Sequence, residues 1–190
     1  YNLICLFFLF VEFKSLQIIR LLLSFFSILI SIDLIEDYFF LRQKKITIYN
    51  VSNHIAIDFI NGKNHYFLAD QALINNPAKI KFHIENNWHF NDLNSPEIIS
   101  LENYISKTIR WENLTIAFVD SNWRDTNDVN IAIIINTPKL SDELFNNSSV
   151  KIIQNGRSFI NKLKINNKLI KNNHTIYDVF KRGSYIYELQ

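Results

Sequence analysis

The chain has 190 residues, of which 48% are hydrophobic and 20% charged, with a formal net charge of +2 and a single cysteine, Cys5. One cysteine excludes a disulfide framework and a thiolate metal site. The averages conceal an apolar first fifth and a polar remainder of about 150 residues, which is the size of one ordinary domain.

Two apolar stretches make up the first part of the chain. The sequence begins at Tyr1 inside the run Leu3 to Val11 and contains no methionine, so we expect it to be the tail of a longer polypeptide. The second stretch, Leu16 to Ile35, has about the twenty residues that a bilayer core of roughly 30 Å requires. We predict the end of one transmembrane helix over residues 1–13 and a complete transmembrane helix over residues 16–35.

Two other interpretations of this region are less favoured. A signal peptide has a charged start and a small-residue cleavage site, whereas Glu12 and Lys14 interrupt the apolar region and no such site follows it. A buried hairpin of a soluble core is the other alternative. Ser24, Ser27 and Ser31 are compatible with a membrane helix, because a hydroxyl can bond back to a carbonyl of the preceding turn.

The predicted soluble domain, residues 44–190, opens with strands. Ile46 to Tyr49 alternates in polarity, and a second strand covers Ile55 to Ile60. Asn61-Gly62 then supplies the positive-φ positions of a tight turn before a third strand, His65 to Leu68. The pattern predicts one strand followed by a hairpin.

Helical and irregular segments follow the hairpin. Pro77 suits the first turn of a short helix from Ala78 to Glu85. Asn, Asp and Pro residues between Trp88 and Glu97 indicate a loop. We interpret Ile98 to Ile109 as a helix.

The last third alternates apolar runs of strand length with helical segments, which predicts an α/β sheet layered by helices. The predicted strands are Leu114 to Val119, Val129 to Ile135, Val150 to Ile153, Thr175 to Val179 and Ser184 to Leu189. The predicted helices are Asp142 to Phe145 and Arg157 to Asn172.

The order of these segments resembles a known family. Ile46 to Val51, His54 to Phe59 and Tyr66 to Asp70 look like the opening strands of a metallo-β-lactamase-type fold. More narrowly, together with the late strand at Val129 to Thr137 and the closing strands at Tyr177 to Leu189, they resemble the C-terminal domain of ComEC, the DNA-uptake channel protein of natural competence. The resemblance covers nearly the whole chain, including the apolar hairpin.

The resemblance implies a fold class and a location. The fold would be α/β, with a degenerate and incomplete metallo-β-lactamase-like soluble domain preceded by transmembrane helices. The protein would be a multi-pass protein of the inner cell membrane, with its soluble domain on the outer, periplasmic side. The positively charged residues flanking the second apolar stretch do not decide the orientation.

The catalytic features of that fold are missing from this sequence. Its hydrolases hold two metals through an H-x-H-x-D-H cluster, since imidazole and carboxylate groups must converge on one pocket. The five histidines here stand singly, and Asn136-Thr137 occupies the place of a late histidine pair. Asp70 matches the Leu-Ile-Asp end of the third strand but alone cannot hold a metal. We therefore expect no catalytic residue, no metal site, no cofactor and no enzymatic activity.

Several single residues receive structural interpretations. His83 and His89 flank Trp88, but surface or structural roles are favoured over metal binding. Asp58 lies within a strand and is expected on its solvent face. Asp120, Asp125 and Asp128 lack the order of a calcium loop, and turn formation explains them better.

One charge feature points to a ligand. Between Lys151 and Arg182 the chain has eight basic residues and one acid, Asp178, a local formal charge of +7. Such a cluster could bind DNA phosphates or anionic lipid headgroups, or form a solvated helix face. Tyr177, Tyr185 and Tyr187 could stack on bases, but packing is favoured for them. The candidate DNA-binding residues are Arg157, Lys162, Lys164, Lys168, Lys171, Lys181 and Arg182.

The sequence thus indicates the C-terminal part of a membrane protein for DNA uptake, with a soluble domain that is structural or DNA-guiding. Its expected partners are the rest of its own membrane channel, single-stranded DNA and the lipid bilayer. One alternative is a metal-dependent nuclease with a rearranged site around Asp70 and the histidines. Another is a membrane-anchored envelope module unrelated to DNA.

Overall fold

The computed structural model describes residues 16–120, 129–135, 151–154 and 175–189. The chain divides into two compact units, Tyr1–Arg42 and Gln43–Gln190. The predicted helices at 142–145 and 157–172, and the predicted helix end at 1–13, lie outside the described residues.

The described residues of the first unit form a long helix, α1, from Leu16 to Arg42. Its span from Ile18 to Arg42 has a mean hydropathy of 2.3 and is long and apolar enough to cross a membrane. The Oγ atoms of Ser24 and Ser31 donate to carbonyl oxygens four residues earlier, at 2.9 and 2.8 Å, which confirms how these polar groups are satisfied. The helix extends seven residues beyond the predicted end at Ile35.

In the part of the second unit that the structure describes, the strands form two five-stranded sheets. In the first sheet the strand order is β10-β1-β2-β3-β4, and in the second it is β5-β6-β7-β8-β9. The strands are β1 Lys44–Ile48, β2 Ala56–Asn61, β3 Asn64–Ala69, β4 Glu97–Ser100, β5 Thr108–Trp111, β6 Leu114–Val119, β7 Ile131–Ile134, β8 Lys151–Gln154, β9 Thr175–Asp178 and β10 Tyr185–Glu188.

The main hydrophobic core combines residues of both sheets. Ile48 and Phe59 of the first sheet belong to one cluster with Ile116, Phe118 and Ile133 of the second. Because side chains alternate along a strand, each sheet directs every second residue into this core. The two sheets therefore pack against each other, and the mixed α/β class expected from the sequence is confirmed.

Short helical segments cover the outer face of the first sheet. They are α2 Gln71–Ile74, α3 Pro77–Ile80, a π-helical segment Lys81–Glu85 and α4 Asn86–Phe90. Leu73, Ile80 and Ile84 from these segments form a second cluster with Tyr49 and Phe67 of the sheet. The helix expected from Ala78 to Glu85 is confirmed, but the helical run continues to Phe90 into the predicted loop.

The β2–β3 turn differs by one residue from the expected turn. Asn61 pairs with Asn64 as the last residue of β2, so the two turn residues are Gly62 and Lys63. Gly62 has a φ of 62°, a value that glycine adopts without the steric cost of a Cβ atom. Glycine at the first turn position is the pattern of a type II′ hairpin.

The helix predicted from Ile98 to Ile109 is wrong. Glu97–Ser100 forms β4, parallel to β3, a 3₁₀ turn covers Leu101–Asn103, and β5 follows at Thr108. Ser106 has a φ of 60°, which a right-handed helix does not allow. Ile98 and Ile109 instead belong to two edge strands in different sheets, and Ile105 lies in the turn region between them.

The two closing strands are confirmed, but they do not pair with each other. β9 is parallel to β8 at the edge of the second sheet, whereas β10 is antiparallel to β1 in the first sheet. Between them lies α5, Val179–Arg182. The end of the chain therefore links the two sheets.

Candidate nucleic-acid interface

Lys181 and Arg182 are the two candidate DNA-binding residues that the structure describes. Both are exposed at the end of α5. Asp178 begins this turn by accepting hydrogen bonds from the backbone N–H groups of Phe180 and Lys181, at 3.1 and 3.3 Å. Gly183, with a φ of 88°, ends it. The basic pair is therefore held on a short, capped turn.

Lys181 and Arg182 lie at the end of the second sheet where the parallel strands have their carboxyl ends. Strands β6 to β9 are all parallel, so their carboxyl ends share one edge, and α5 follows directly after β9. In open α/β sheets, ligands bind preferentially outside the carboxyl ends of the strands. The two cations thus stand just beyond the carboxyl end of β9, the edge strand of this sheet.

The neighbouring tyrosines contribute mainly to packing. The rings of Tyr177 and Tyr185 are 4.7 Å apart, and both rings and Tyr187 pack against the main core. Burial raises the pKa of Tyr185 above its usual value, with the nearby Tyr187 and Tyr177 adding to the effect. The packing interpretation is confirmed, since all three side chains are half-buried against the main core.

The guanidinium group of Arg182 is positioned by one of these rings. Its Cζ atom lies 5.8 Å from the centre of the Tyr177 ring, within the range of a cation–π contact. The Tyr177 hydroxyl donates towards the carbonyl oxygens of Ser184 and Arg182, at 3.2 and 3.3 Å. Tyr177 therefore fixes the turn that carries the basic pair.

The remaining five candidates, Arg157, Lys162, Lys164, Lys168 and Lys171, lie outside the described residues. Their distance from Lys181 and Arg182 is therefore not defined by the structure. In the sequence they follow β8, whose last residue, Gln154, is paired with Asp178.

A buried polar network on the outer face of the first sheet was not foreseen. The Asp58 carboxylate is fully buried. Its Oδ2 accepts hydrogen bonds from the Tyr49 hydroxyl at 2.6 Å and from Trp88 Nε1 at 2.7 Å. The expected solvent-facing position of Asp58 is wrong, because helix α4 covers this face and places Trp88 over the carboxylate.

His65 is the third partner of Asp58, and its contacts determine how many protons the two side chains share. Its Nε2 lies 3.0 Å from the carbonyl oxygen of Asn94, which can only accept, so Nε2 carries a proton. Its Nδ1 lies 2.9 Å from Asp58 Oδ1, a contact that needs one more proton on either group. The His65–Asp58 pair therefore has no net charge, which lowers the cost of burying it.

A signal for this network is present in the sequence. Ala56 and Ile60 flank Asp58 on the same strand face, and both are apolar. Apolar residues on both sides of Asp58 indicate that this face of the strand is buried. His65 on the next strand is a residue type that can hydrogen-bond to the carboxylate. The identity of Trp88 as the third partner could not be read from the chain, since it is thirty residues away.

Asp70 and His54 form a second, more exposed polar cluster. His54 Nδ1 lies 3.0 Å from Asp70 Oδ1, and Lys79 Nζ lies 2.9 Å from His54 Nε2. Asp70 also caps α2 by accepting from the Leu73 N–H at 2.9 Å and accepts from the Ile55 N–H at 2.8 Å. The cluster ties the end of β3 to the helical segments above it.

This cluster has few of the features of a metal centre. One imidazole and one carboxylate meet, and a lysine ammonium group occupies the side of the imidazole that a cation would need. Within the ranges that the structure describes, no three His, Cys, Asp or Glu side chains form a group able to hold a metal ion.

The other singled-out residues can now be placed. His83 and His89 are exposed on the helical run, which confirms their surface interpretation. Asp120 is buried and accepts a hydrogen bond from the Ser106 hydroxyl, while Asp125 and Asp128 lie outside the described residues.

Comparisons with known proteins give one match. A family model described as the ComEC C-terminal domain matches residues 46–189. No curated protein matches the chain, and no solved structure matches it. The family match begins within β1 and ends just after β10, so it spans both sheets.

Proposed function

Because the chain belongs to the ComEC C-terminal domain family, we propose that it is the C-terminal part of a multi-pass DNA-uptake protein whose soluble domain guides DNA without cutting it. The family match over residues 46–189 is the observation that carries this proposal. Proteins of the ComEC type are membrane proteins of DNA uptake, and the long apolar helix α1 agrees with such a location. The soluble domain would lie on the periplasmic side.

The fold supports a degenerate metallo-β-lactamase-like scaffold. Two sheets pack face to face, and the helical run from Gln71 to Phe90 covers the outer face of the first sheet. The order of strands matches the segments on which the resemblance was based. We propose that this domain kept such a scaffold and lost its metal ligands.

Exposed cations at the carboxyl edge of the second sheet support the DNA-guiding role. Lys181 and Arg182 extend from a capped turn into solvent, and five further basic residues follow β8 in the sequence. Phosphate neutralisation by such groups binds single strands without regard to sequence and weakens as salt rises. Sequence-independent, salt-sensitive binding of this kind is expected of a surface that guides single-stranded DNA during uptake.

Charge reversal of the basic pair tests the guiding role. In the full chain held in detergent micelles, Lys181→Glu with Arg182→Glu should weaken binding of a fluorescent oligothymidylate by about tenfold or more at low salt. The salt dependence should also fall, since each cation that contacts a single strand contributes about 0.7 to the slope of log affinity against log salt. Fluorescence anisotropy across a salt series measures both quantities.

A matched control is Lys81→Glu with Lys107→Glu, because both lysines are exposed and stand away from α5 in the sequence. This control should retain most of the affinity. Equal loss in both double variants would mean that overall charge, not the α5 pair, determines binding. Unchanged affinity in the α5 variant would contradict the guiding role of this turn.

A second candidate is a metal-dependent nuclease with a rearranged site, which the approach of His54 to Asp70 favours. The same oligothymidylate, incubated with the full chain and Mn²⁺ or Zn²⁺, distinguishes the two. We expect the strand to stay intact. Cleavage that stops on addition of a chelator and in a His54→Ala variant would establish the nuclease instead.

A further inference from the structure

A cavity lined by aromatic side chains opens on the side of the soluble domain where the two sheets end in β4 and β5. Its volume is about 380 Å³, within the range of small-molecule sites in proteins. Residues of both sheets and of the segment that joins them form its walls. These are Phe59, Tyr66, Leu68, Ile99, Tyr104, Ile109, Arg110 and Trp111.

The floor of this cavity is buried and its mouth is open. Phe59 is only 4% exposed, and its ring lies 5.7 Å from that of Trp111. Tyr66, the register partner of Phe59 on β3, is 48% exposed. A ligand could therefore enter beside Tyr66 and reach the rings of Phe59 and Trp111.

We propose that this cavity binds one base of a single-stranded nucleic acid, with the base stacked on its aromatic walls. Four of the eight lining residues are aromatic, and base–aromatic stacking is independent of sequence because every base has a π face. Arg110 is exposed at the cavity and can approach the adjoining phosphate or stack on the base. The proposal rests on the DNA-guiding function and names where a base is held.

The charges at the mouth indicate that the base, not the backbone, supplies most of the affinity there. Glu97 is the register partner of Tyr66 on β4, so its carboxylate stands on the same strand face as the ring. A carboxylate beside the ring repels phosphate, so we expect the base to supply most of the affinity at this site. Binding at the cavity should therefore depend on salt less than binding at the basic pair.

Substitutions of Tyr66 test the proposal in the full chain in detergent micelles. Tyr66→Leu removes the aromatic face while keeping an apolar side chain, and Tyr66→Phe keeps the face. The probes are an oligothymidylate and an abasic strand of equal length. We expect the wild type to prefer the strand with bases, and Tyr66→Leu to reduce that preference about 5- to 30-fold.

Two controls accompany the measurement. Tyr66→Phe should retain the preference, because stacking needs the ring and not the hydroxyl. Phe90→Ala removes an aromatic side chain that is 80% exposed on α4 and does not line the cavity, and it should also retain the preference. Melting temperatures of all variants identify any that fail to fold, in which case Trp111→Leu, which also removes an aromatic face of the cavity, replaces Tyr66→Leu.

The possible failures are distinguishable. If Tyr66→Leu keeps the preference while Lys181→Glu with Arg182→Glu weakens both strands, the base site is overturned and the guiding role stands. If the wild type binds neither strand, both are overturned. If laurate binds in a Tyr66-dependent manner and the oligothymidylate does not compete, the cavity is a site for acyl chains and the proposal is wrong.

Discussion

Asp58 illustrates how a single residue acquires its role from distant partners. Its carboxylate is enclosed by Tyr49, His65 and Trp88, which reach it from β1, β3 and α4. A carboxylate buried with three donors is well satisfied, whereas removal of one donor leaves desolvated charge without compensation. The network therefore fixes the helical run to the sheet.

Tyr49 gives this network a measurable pH dependence. Burial raises its pKa well above the ordinary value of about 10, and the charge of Asp58 adds to the effect. The folded state therefore keeps a proton that the unfolded state releases, so the contribution of Tyr49 to stability is complete below pH 10 and declines above it. The expected loss is about 1 kcal/mol at pH 11.

The Tyr49→Phe variant isolates this contribution. At pH 8 it should be less stable than the wild type by about 1–3 kcal/mol, because a hydrogen bond to a charged group is lost. Between pH 9 and 11 the gap should narrow by about 1 kcal/mol, since the variant has no such hydroxyl to titrate. Urea unfolding at each pH measures the gap, and a constant gap for Tyr49→Phe would contradict the assignment.

Thr47 lies directly opposite Asp58 on the neighbouring strand β1. It is the register partner of Asp58 and is 1% exposed. Its Oγ1 atom is a buried side-chain oxygen for which the described part of the chain provides no hydrogen-bond partner. An orphaned hydroxyl of this kind reduces stability, so satisfaction of polar groups on this face is uneven.

At the scale of elements, backbone geometry and not hydrophobic spacing decided the segment from Glu97 to Trp111. The isoleucines at positions 98, 105 and 109 suggest a helix. Two features oppose it: β3 offers unpaired backbone groups to a parallel neighbour, and Ser106 adopts a positive φ. Pairing with an existing strand satisfies the backbone of β4, as the main-chain hydrogen bonds require.

The β2–β3 hairpin depends on Gly62. A Cβ atom at a φ of 62° is strained, and a left-handed conformation costs a non-glycine residue about 1–2 kcal/mol. We expect Gly62→Ala to lower the free energy of unfolding by about that amount. Urea unfolding measures it.

The neighbouring turn residue provides the control. Lys63→Ala, in the same turn but without a positive φ, should change the free energy of unfolding much less. If Gly62→Ala unfolds at the same urea concentration as the wild type, the turn assignment is wrong.

At the scale of the whole molecule, the chain combines an apolar helix with a two-sheet domain. The two units differ in how their apolar residues are distributed. The Ile18–Arg42 span of α1 has a mean hydropathy of 2.3, whereas the domain buries its apolar residues between and beneath the sheets. The apolar composition of α1 agrees with the membrane location of ComEC-type proteins.

Insertion of α1 is testable with one substitution. Leu29 lies at its midpoint, and arginine at the centre of a membrane helix costs about 3 kcal/mol relative to leucine on insertion scales. Leu29→Arg should therefore reduce the inserted fraction of the full chain. Leu41→Arg, near the helix end, should have little effect because the long side chain can reach the interface.

Carbonate extraction of membranes that carry each variant measures the inserted fraction. Similar extraction of the wild type and of both variants would contradict a membrane-spanning role for α1. Equal loss in both variants would show that position along the helix is unimportant, which is also incompatible with a bilayer.

Local patterns determined a large part of this structure. The apolar helix, the strands β1 to β3 and β6 to β10, and the short helix after Pro77 were predictable, because each depends on the periodicity or composition of neighbouring residues. The candidate site was less predictable. Lys181 and Arg182 were found from charge alone, whereas the aromatic cavity could not be found, because its walls come from residues 59 to 111 across two sheets.

The sequence by itself established the family, since the family is recognised from the order and spacing of apolar segments along the chain. Only the tertiary structure decided which faces are covered, that β9 and β10 join different sheets, and that Asp58 is buried. Those outcomes depend on contacts between residues far apart in the chain, and the free energy of such contacts is set by packing and desolvation that no short segment contains.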